Sequence, residues 1–183
     1  MAREYDVVVI GAGSAGAKVA SSCRQAGLNT AIVEARDFGG TCPNRGCNPK
    51  KVLVNAAAAV ARTADLCGKG INAAASLNWR DLIRFKRSLV EPRPPQIEGK
   101  LRRLGVHTFY GQARFVGKKS LRVGEDVLNS KYIFISTGMV PRKLGFPGEE
   151  YVTTSEQFME SESLPEVITF IGGGYISFEF AHV

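Results

Sequence analysis

Apolar residues along the chain change period several times, and each change predicts an element. Tyr5 to Ile10 is a run dominated by β-branched residues that stops at Gly11, the pattern of a buried strand. The next stretch, GAGSAGAKVASSCRQAGL, places small and apolar residues at helical spacing until Gly27. Thr30 to Val33 is a second short apolar run, closed by Glu34. Val52 to Thr63 is alanine-rich with apolar residues all round, which predicts a buried helix continuing from Lys50 and Lys51. A further helical pattern covers Asn78 to Val90, with Trp79, Leu82, Ile83, Phe85, Leu89 and Val90 marking its apolar side. Pro92, Pro94 and Pro95 predict a break, and helix resumes over Gln96 to Leu104. From Val106 the period becomes two, in VHTFYG, ARFVG, SLRVG and YIFIS, with glycines and Asn129 at the turns. That pattern predicts a small antiparallel sheet, with His107 packed or solvated in its first strand. Pro141, Gly145, Pro147 and Gly148 punctuate a connector, Thr153 to Glu162 reads as a short polar helix, and Val167 to Ile171 reads as a strand running into GGGYISFEF.

The order of these elements carries more than their number. Strand, GxGxxG, helix, strand and acid together form a dinucleotide-binding fingerprint. Gly11 allows the tight turn, Gly13 lets backbone approach a pyrophosphate, and Gly16 lets helix and strand pack closely. The helix N-terminus supplies amide donors for phosphates. Glu34, 18 residues beyond Gly16, can accept from ribose hydroxyls. Tyr132 to Ser136, followed by Thr137 and Gly138, is a strand ending in a small polar turn that admits a ligand at a sheet's carboxyl edge. After Val167 to Ile171, the glycines 172–174 repeat the strand, glycine turn and helix start. Only 18 residues follow Pro165, short of the roughly 30 that a βαβ unit needs, so the second fingerprint is expected to be cut. The expected architecture is α/β: a Rossmann-like domain over residues 1–165 with a small antiparallel sheet inserted, then the truncated start of a second nucleotide-binding domain over 166–183.

At 183 residues and 44% hydrophobic, the chain can bury one good core. Formal net charge is +7, densest from Arg80 to Arg103, yet no nucleic-acid motif or aromatic interleaving accompanies it. A basic nucleic-acid-binding domain therefore rests on charge alone, and a solvated helix face with some attraction for anionic cofactors is the better account. The apolar run Val7 to Ile10 is too short for a signal peptide or membrane span, which leads to the expectation of a cytoplasmic protein that binds neither membrane nor nucleic acid.

The candidate chemistry lies in Gly39 to Lys51, GGTCPNRGCNPKK, where Cys42 and Cys47 stand five positions apart. The pair could be a redox disulfide, half of a zinc site or a structural staple. So short a loop removes little chain entropy, about 2 kcal/mol on a loop-closure estimate, which argues against a staple. Zinc needs further ligands, and Cys23, Cys67, His107 and His182 form no second knuckle. No metal site is expected, and the redox reading leads. Cys23 and Cys67 are expected to be inert packing or surface thiols.

Two nucleotide fingerprints, with GGTCPNRGCNPKK after the first and a Ser, Thr, Gly turn between them, resemble the FAD-dependent pyridine nucleotide disulfide oxidoreductases. These include glutathione reductase, dihydrolipoamide dehydrogenase and mercuric reductase. The resemblance implies that Gly11, Gly13, Ser14, Gly16 and Glu34 hold the adenosine and pyrophosphate of FAD. Gly40, Thr41, Lys50, Thr137 and Gly138 would lie nearer the flavin. It further implies that Gly172 and Gly174 begin the NADPH or NADH domain, that Tyr175 covers the nicotinamide pocket, and that Glu179 pairs with Lys50. Cys47 would be the thiol beside the flavin and Cys42 the thiol that exchanges with a small disulfide or dihydrolipoyl substrate. Such enzymes are homodimers whose C-terminal domain carries a His and Glu pair, and neither histidine here matches it. The alternative is a flavin-binding fragment without turnover. The prolines near Pro92 also depart from the family's usual long helix.

Overall fold

A computed structural model describes residues 2–183, which fall into two compact units. The first joins the residues up to Asn44 with Glu91–Val140; the second joins Arg45–Val90 with Pro141–Val183.

The first unit is built on a six-stranded sheet, comprising β1 (Ala2–Ile10), β2 (Thr30–Glu34), β3 (His107–Tyr110), β4 (Arg114–Gly117), β5 (Ser120–Val123) and β6 (Asp126–Ile135), in the order β3-β2-β1-β6-β5-β4. β1 lies parallel to β2 from Val7 opposite Thr30 to Ile10 opposite Val33, and parallel to β6 from Ala2 opposite Val127 to Ile10 opposite Ile135. β3 extends the parallel side along β2, while β4, β5 and the start of β6 form an antiparallel meander. The expected small antiparallel sheet is present as this meander, but two of the four segments assigned to it pair otherwise. The VHTFYG strand pairs parallel with β2, and YIFIS is the second half of β6, parallel to β1. Period-two alternation identifies a strand but not its partner, and the β-branched strands β1 and β2, buried on both faces, need neighbours on both edges.

Two helices of this unit, α1 (Ser14–Gln25) and α5 (Arg93–Arg103), contribute to one of its two core clusters. Val7, Val9 and Ile32 pack there with Ala20 and Leu101. Val8, Ala31 and Val33 pack in the other with Leu121, Val123 and Leu128 of the meander. Helix resumes directly after Pro92, at Arg93 rather than Gln96, because Pro94 and Pro95 sit in the first turn, where a missing N–H costs nothing.

The second unit is helical: α3 (Cys47–Asp65), α4 (Trp79–Val90), α6 (Ser155–Phe158) and α7 (Tyr175–His182), with a 3-10 turn at Glu149–Tyr151. Helix α2 (Thr41–Arg45) contains the boundary between the units. Leu53, Ile83, Phe158, Met159 and Phe180 form the second unit's core, with Trp79 packed against it. Among the residues of α3, only Pro49, Lys50, Leu53 and Ala57 are buried, so the alanine-rich helix is not apolar inside all round. Alanine favours helix without demanding burial. The polar helix expected over Thr153 to Glu162 shrinks to the four residues of α6, whose Phe158 and following Met159 enter the core. Val167 to Ile171 forms no strand, and Val167 is 80% exposed. Among the described residues its unit offers no strand with which it could pair, and an unpaired β segment has no ladder to hold it.

Candidate functional site

The glycine turn after β1 is fixed by contacts that forbid side chains. Gly11 adopts φ +98°, and a β-carbon there would lie 2.3 Å from the Ser136 carbonyl oxygen at the end of β6. A β-carbon at Gly16 would lie 1.9 Å from the Gly11 carbonyl oxygen, so only glycine lets α1 start this close to β1. Gly13 caps α1 without a side-chain hydrogen bond, and the first turn of α1 holds no acidic residue. Neither a side-chain cap nor an acid of the helix's own first turn occupies the opening amides of α1, which suits a pyrophosphate.

Gly39 and Gly40 bring the cysteine segment to this turn. The Gly39 amide donates to the Ala12 carbonyl at 2.8 Å, and Gly40, at φ +67°, would place a β-carbon 2.7 Å from the Gly13 α-carbon. Asn44 donates through Nδ2 to the Phe38 carbonyl at 3.1 Å, closing the loop that contains Thr41 and Cys42. Thr41 is exposed and Cys42 half-buried. Glu34 is buried and accepts from the Ala12 amide and the Arg36 amide, both at 2.8 Å. Two of about four lone-pair sites on its carboxylate are thereby used, leaving acceptors for a ribose. Thr137 and Gly138 are exposed directly after Ser136, with Gly138 at φ +75°. Ser14 is exposed at the first position of α1.

In the second unit Cys47 is the first residue of α3, an exposed free thiol with no acidic residue in the helix's first turn. One turn on, Lys50 is buried; its Nζ donates to Glu179 Oε2 and lies 4.5 Å from the centroid of the Tyr175 ring. Phe180, beside Glu179, packs on Phe158 at 4.5 Å between centroids, which seats α7 so that the carboxylate reaches the lysine. The structure therefore brings Lys50, Glu179 and Tyr175 together. Gly172 and Gly174 are exposed and precede α7, with Gly174 as its N-cap.

Sequence reasoning missed two residues here. Arg45, between the cysteines, forms an ion pair with Glu156, Nε to Oε1 3.6 Å. The arginine stands in plain view in GGTCPNRGCNPKK, but its partner lies 111 positions later and no local pattern points to it. Of the other thiols, Cys23 packs half-buried against the first unit's core and Cys67 is exposed. His107 pairs through Nδ1 with the Tyr5 hydroxyl at 3.0 Å, and burial leads the influences that raise the Tyr5 phenol. Among the described residues no group of three or more His, Cys, Asp or Glu side chains is placed to hold a metal ion, and no helix is long and apolar enough to cross a membrane.

A parallel βαβ unit with its glycine turn, acid and uncapped helix amides defines a dinucleotide-binding α/β protein. Residues 5–183 match the family described as pyridine nucleotide-disulphide oxidoreductase, and the chain belongs to it. It is 34% identical to the dihydrolipoyl dehydrogenase of Bacillus subtilis, over 99% of this chain and 42% of that protein. With the glutathione reductase of Nostoc sp. it shares 35% identity over 100% of this chain and 40% of the relative. Among solved structures, the HOCl-induced flavoprotein disulfide reductase RclA from Escherichia coli superimposes with a TM-score of 0.77 at 30% identity, covering 97% of this chain and 39% of that one. The chain thus spans about two fifths of the length of the relatives it matches.

Proposed function

We propose that the whole protein is a flavin-dependent disulfide oxidoreductase, which passes electrons from NADPH or NADH through FAD to Cys42 and Cys47 and on to a small disulfide or dihydrolipoyl substrate. The observation that carries the nucleotide half of this reading is Gly13. Its φ is −71°, which any residue adopts, and a β-carbon would meet only the Gly40 α-carbon at 3.8 Å, an ordinary contact. The fold does not require glycine there; the pyrophosphate does. Gly11, Gly13, Ser14, Gly16 and Glu34 would hold the adenosine and pyrophosphate, with Gly40, Thr41, Thr137 and Gly138 nearer the flavin. When bound, FAD supplies two-electron transfer between the nicotinamide and the thiol pair.

The chain's own residues then perform the exchange. The Cys42 thiolate attacks one sulfur of the substrate disulfide, forming a mixed disulfide and expelling the other sulfur as a thiolate, which takes a proton from solvent. The Cys47 thiolate attacks the Cys42 sulfur, closing the pair and releasing the second substrate thiol. The pair is oxidised by two electrons and the substrate disulfide reduced by two. A dihydrolipoyl substrate runs the same steps backwards. Lys50 and Glu179 would adjoin the flavin as a compensated pair, and Gly172, Gly174 and Tyr175 would open the nicotinamide domain. A homodimer in the reducing cytoplasm suits this cycle, because there a thiol pair is re-reduced rather than retained as a staple. A flavin-binding chain without turnover leaves Cys47 at an uncapped helix N-terminus with no task.

The whole protein carrying Gly13→Val should purify folded and colourless. A full complement of flavin in that variant would falsify the assignment of the glycine turn.

A further inference from the structure

Tyr110 ends β3 at the carboxyl edge of the parallel sheet, where Glu34 ends β2, and the two stand opposite each other in register. Residues paired across parallel strands share a face of the sheet, here the face on which Glu34 reaches the Ala12 amide. Ala31, Val33 and Phe109 alternate with these positions and pack in the cluster on the other face. Two positions earlier on the face of Tyr110, Thr108 lies under α5, accepting from Arg102 Nε at 2.8 Å and donating to Glu98 Oε1 at 2.9 Å. That cover ends before the edge. Tyr110 is 71% exposed, and no ring contact or side-chain hydrogen bond holds it among the described residues. Its backbone is nevertheless fixed. The following amide, of Gly111, donates to the Glu34 carbonyl at 2.8 Å. Gly111 has φ +143°, and a β-carbon there would lie 3.1 Å from Val123 Cγ1, so the strand leaves Tyr110 through a turn that suits glycine.

We propose that Tyr110 is the platform on which the adenine of the dinucleotide cofactor stacks, and that it selects the base at that end of the cofactor. The inference rests on the reading of the glycine turn and Glu34 as the seats of pyrophosphate and ribose. Sheet order supplies the direction. The glycine turn follows β1, Glu34 ends β2 and Tyr110 ends β3, so pyrophosphate, ribose and base fall on three successive strands about 4.8 Å apart. A base joined to a ribose at Glu34 leaves the sugar on the side away from the pyrophosphate, which is the β3 side. An aromatic ring takes a base against its face, and replacing such a ring by alanine lowers affinity about fivefold or more. A purine offers that ring a larger face than a pyrimidine, so the loss falls on adenine above all.

The experiment uses the whole protein freed of flavin and titrated with FAD, binding being read from the change in flavin fluorescence, with ADP or UDP as competitor. The two nucleotides share ribose and pyrophosphate and differ in the base, and a nucleotide bound elsewhere does not displace FAD. The unchanged protein should prefer ADP. Tyr110→Ala should weaken ADP about fivefold or more and UDP by less than about twofold, while Tyr110→Phe should keep the preference. Equal competition by ADP and UDP in the unchanged protein, undiminished competition by ADP in Tyr110→Ala, or one common loss for both nucleotides overturns the proposal. Should Tyr110→Ala fail to fold, Tyr110→Leu, which keeps apolar bulk without a ring, decides by the same comparison. Competition by neither nucleotide in the unchanged protein overturns the reading of the glycine turn and Glu34 as well, whereas undiminished competition by ADP in Tyr110→Ala overturns the stacking alone.

Discussion

A β-carbon added at Gly11 or Gly16 would press into backbone at 2.3 Å and 1.9 Å, whereas at Gly13 the nearest atom stands 3.8 Å away. Three glycines of one motif therefore answer to two different demands, the fold's and the ligand's. Gly16→Ala should destabilise the chain by about 1–3 kcal/mol, because the Gly11 carbonyl cannot retreat without breaking the turn, while Gly13→Ala should cost less than about 1 kcal/mol. Urea midpoints of the two variants check this, and equal losses would contradict it. The motif was legible in the sequence because its spacing is local. The second function of Glu34 was not: the acid expected to face a ribose also satisfies the Ala12 and Arg36 amides, a backbone demand that appears only once the turn is folded.

The second unit's elements are joined by a lysine on the apolar side of α4. Lys86 has no exposed side-chain surface; its Nζ donates to the Met159 carbonyl at 2.8 Å and to Glu160, which Arg87 also binds at 3.1 Å. Lys86 stands three residues after Ile83 and three before Leu89, on the apolar side of α4, so its position predicts a burial that its charge opposes; the Met159 carbonyl and Glu160, at the end of α6 and just beyond it, reconcile the two. Because Glu160 remains about half exposed, Lys86→Ala should cost about 2–3 kcal/mol, less than a fully enclosed pair. Burial alone would raise the Glu160 carboxyl, but the bonds from Lys86 and Arg87 outweigh it and hold the group below the usual carboxylate range. A carboxyl depressed in the folded state contributes stability that is fully present above its unfolded value, about 4.3, and is lost as pH falls through the lower folded value. Fluorescence of Trp79, the chain's one tryptophan and a neighbour of this unit's core, should report weakening on acidification below about pH 4. Lys86→Ala should flatten that acid dependence, and an unchanged acid profile would count against the pair. Helices α1 and α4, the proline break and the buried strands were readable from local pattern; the parallel pairing of β3 with β2 and of β6 with β1, and the absence of a strand at Val167 to Ile171, were not, since both depend on which neighbour arrives.

At the scale of the whole molecule, the proposed activity hangs on one short segment with its two thiols, Cys42 and Cys47, while Cys23 and Cys67 serve as internal controls. The pairing of Lys50 with Glu179, 129 positions apart, entered the sequence reading only through resemblance, because no composition or period relates the two residues. The Arg45 and Glu156 pair lay beyond even that. The most direct test is NADPH- or NADH-dependent reduction of a small disulfide by the whole protein and by its four single Cys→Ser variants. Cys42→Ser and Cys47→Ser should each lose turnover at least a hundredfold, as removal of a covalent nucleophile does, while Cys23→Ser and Cys67→Ser keep it. Full reductase activity in either of the first two variants, or its loss in either of the last two, would contradict the account.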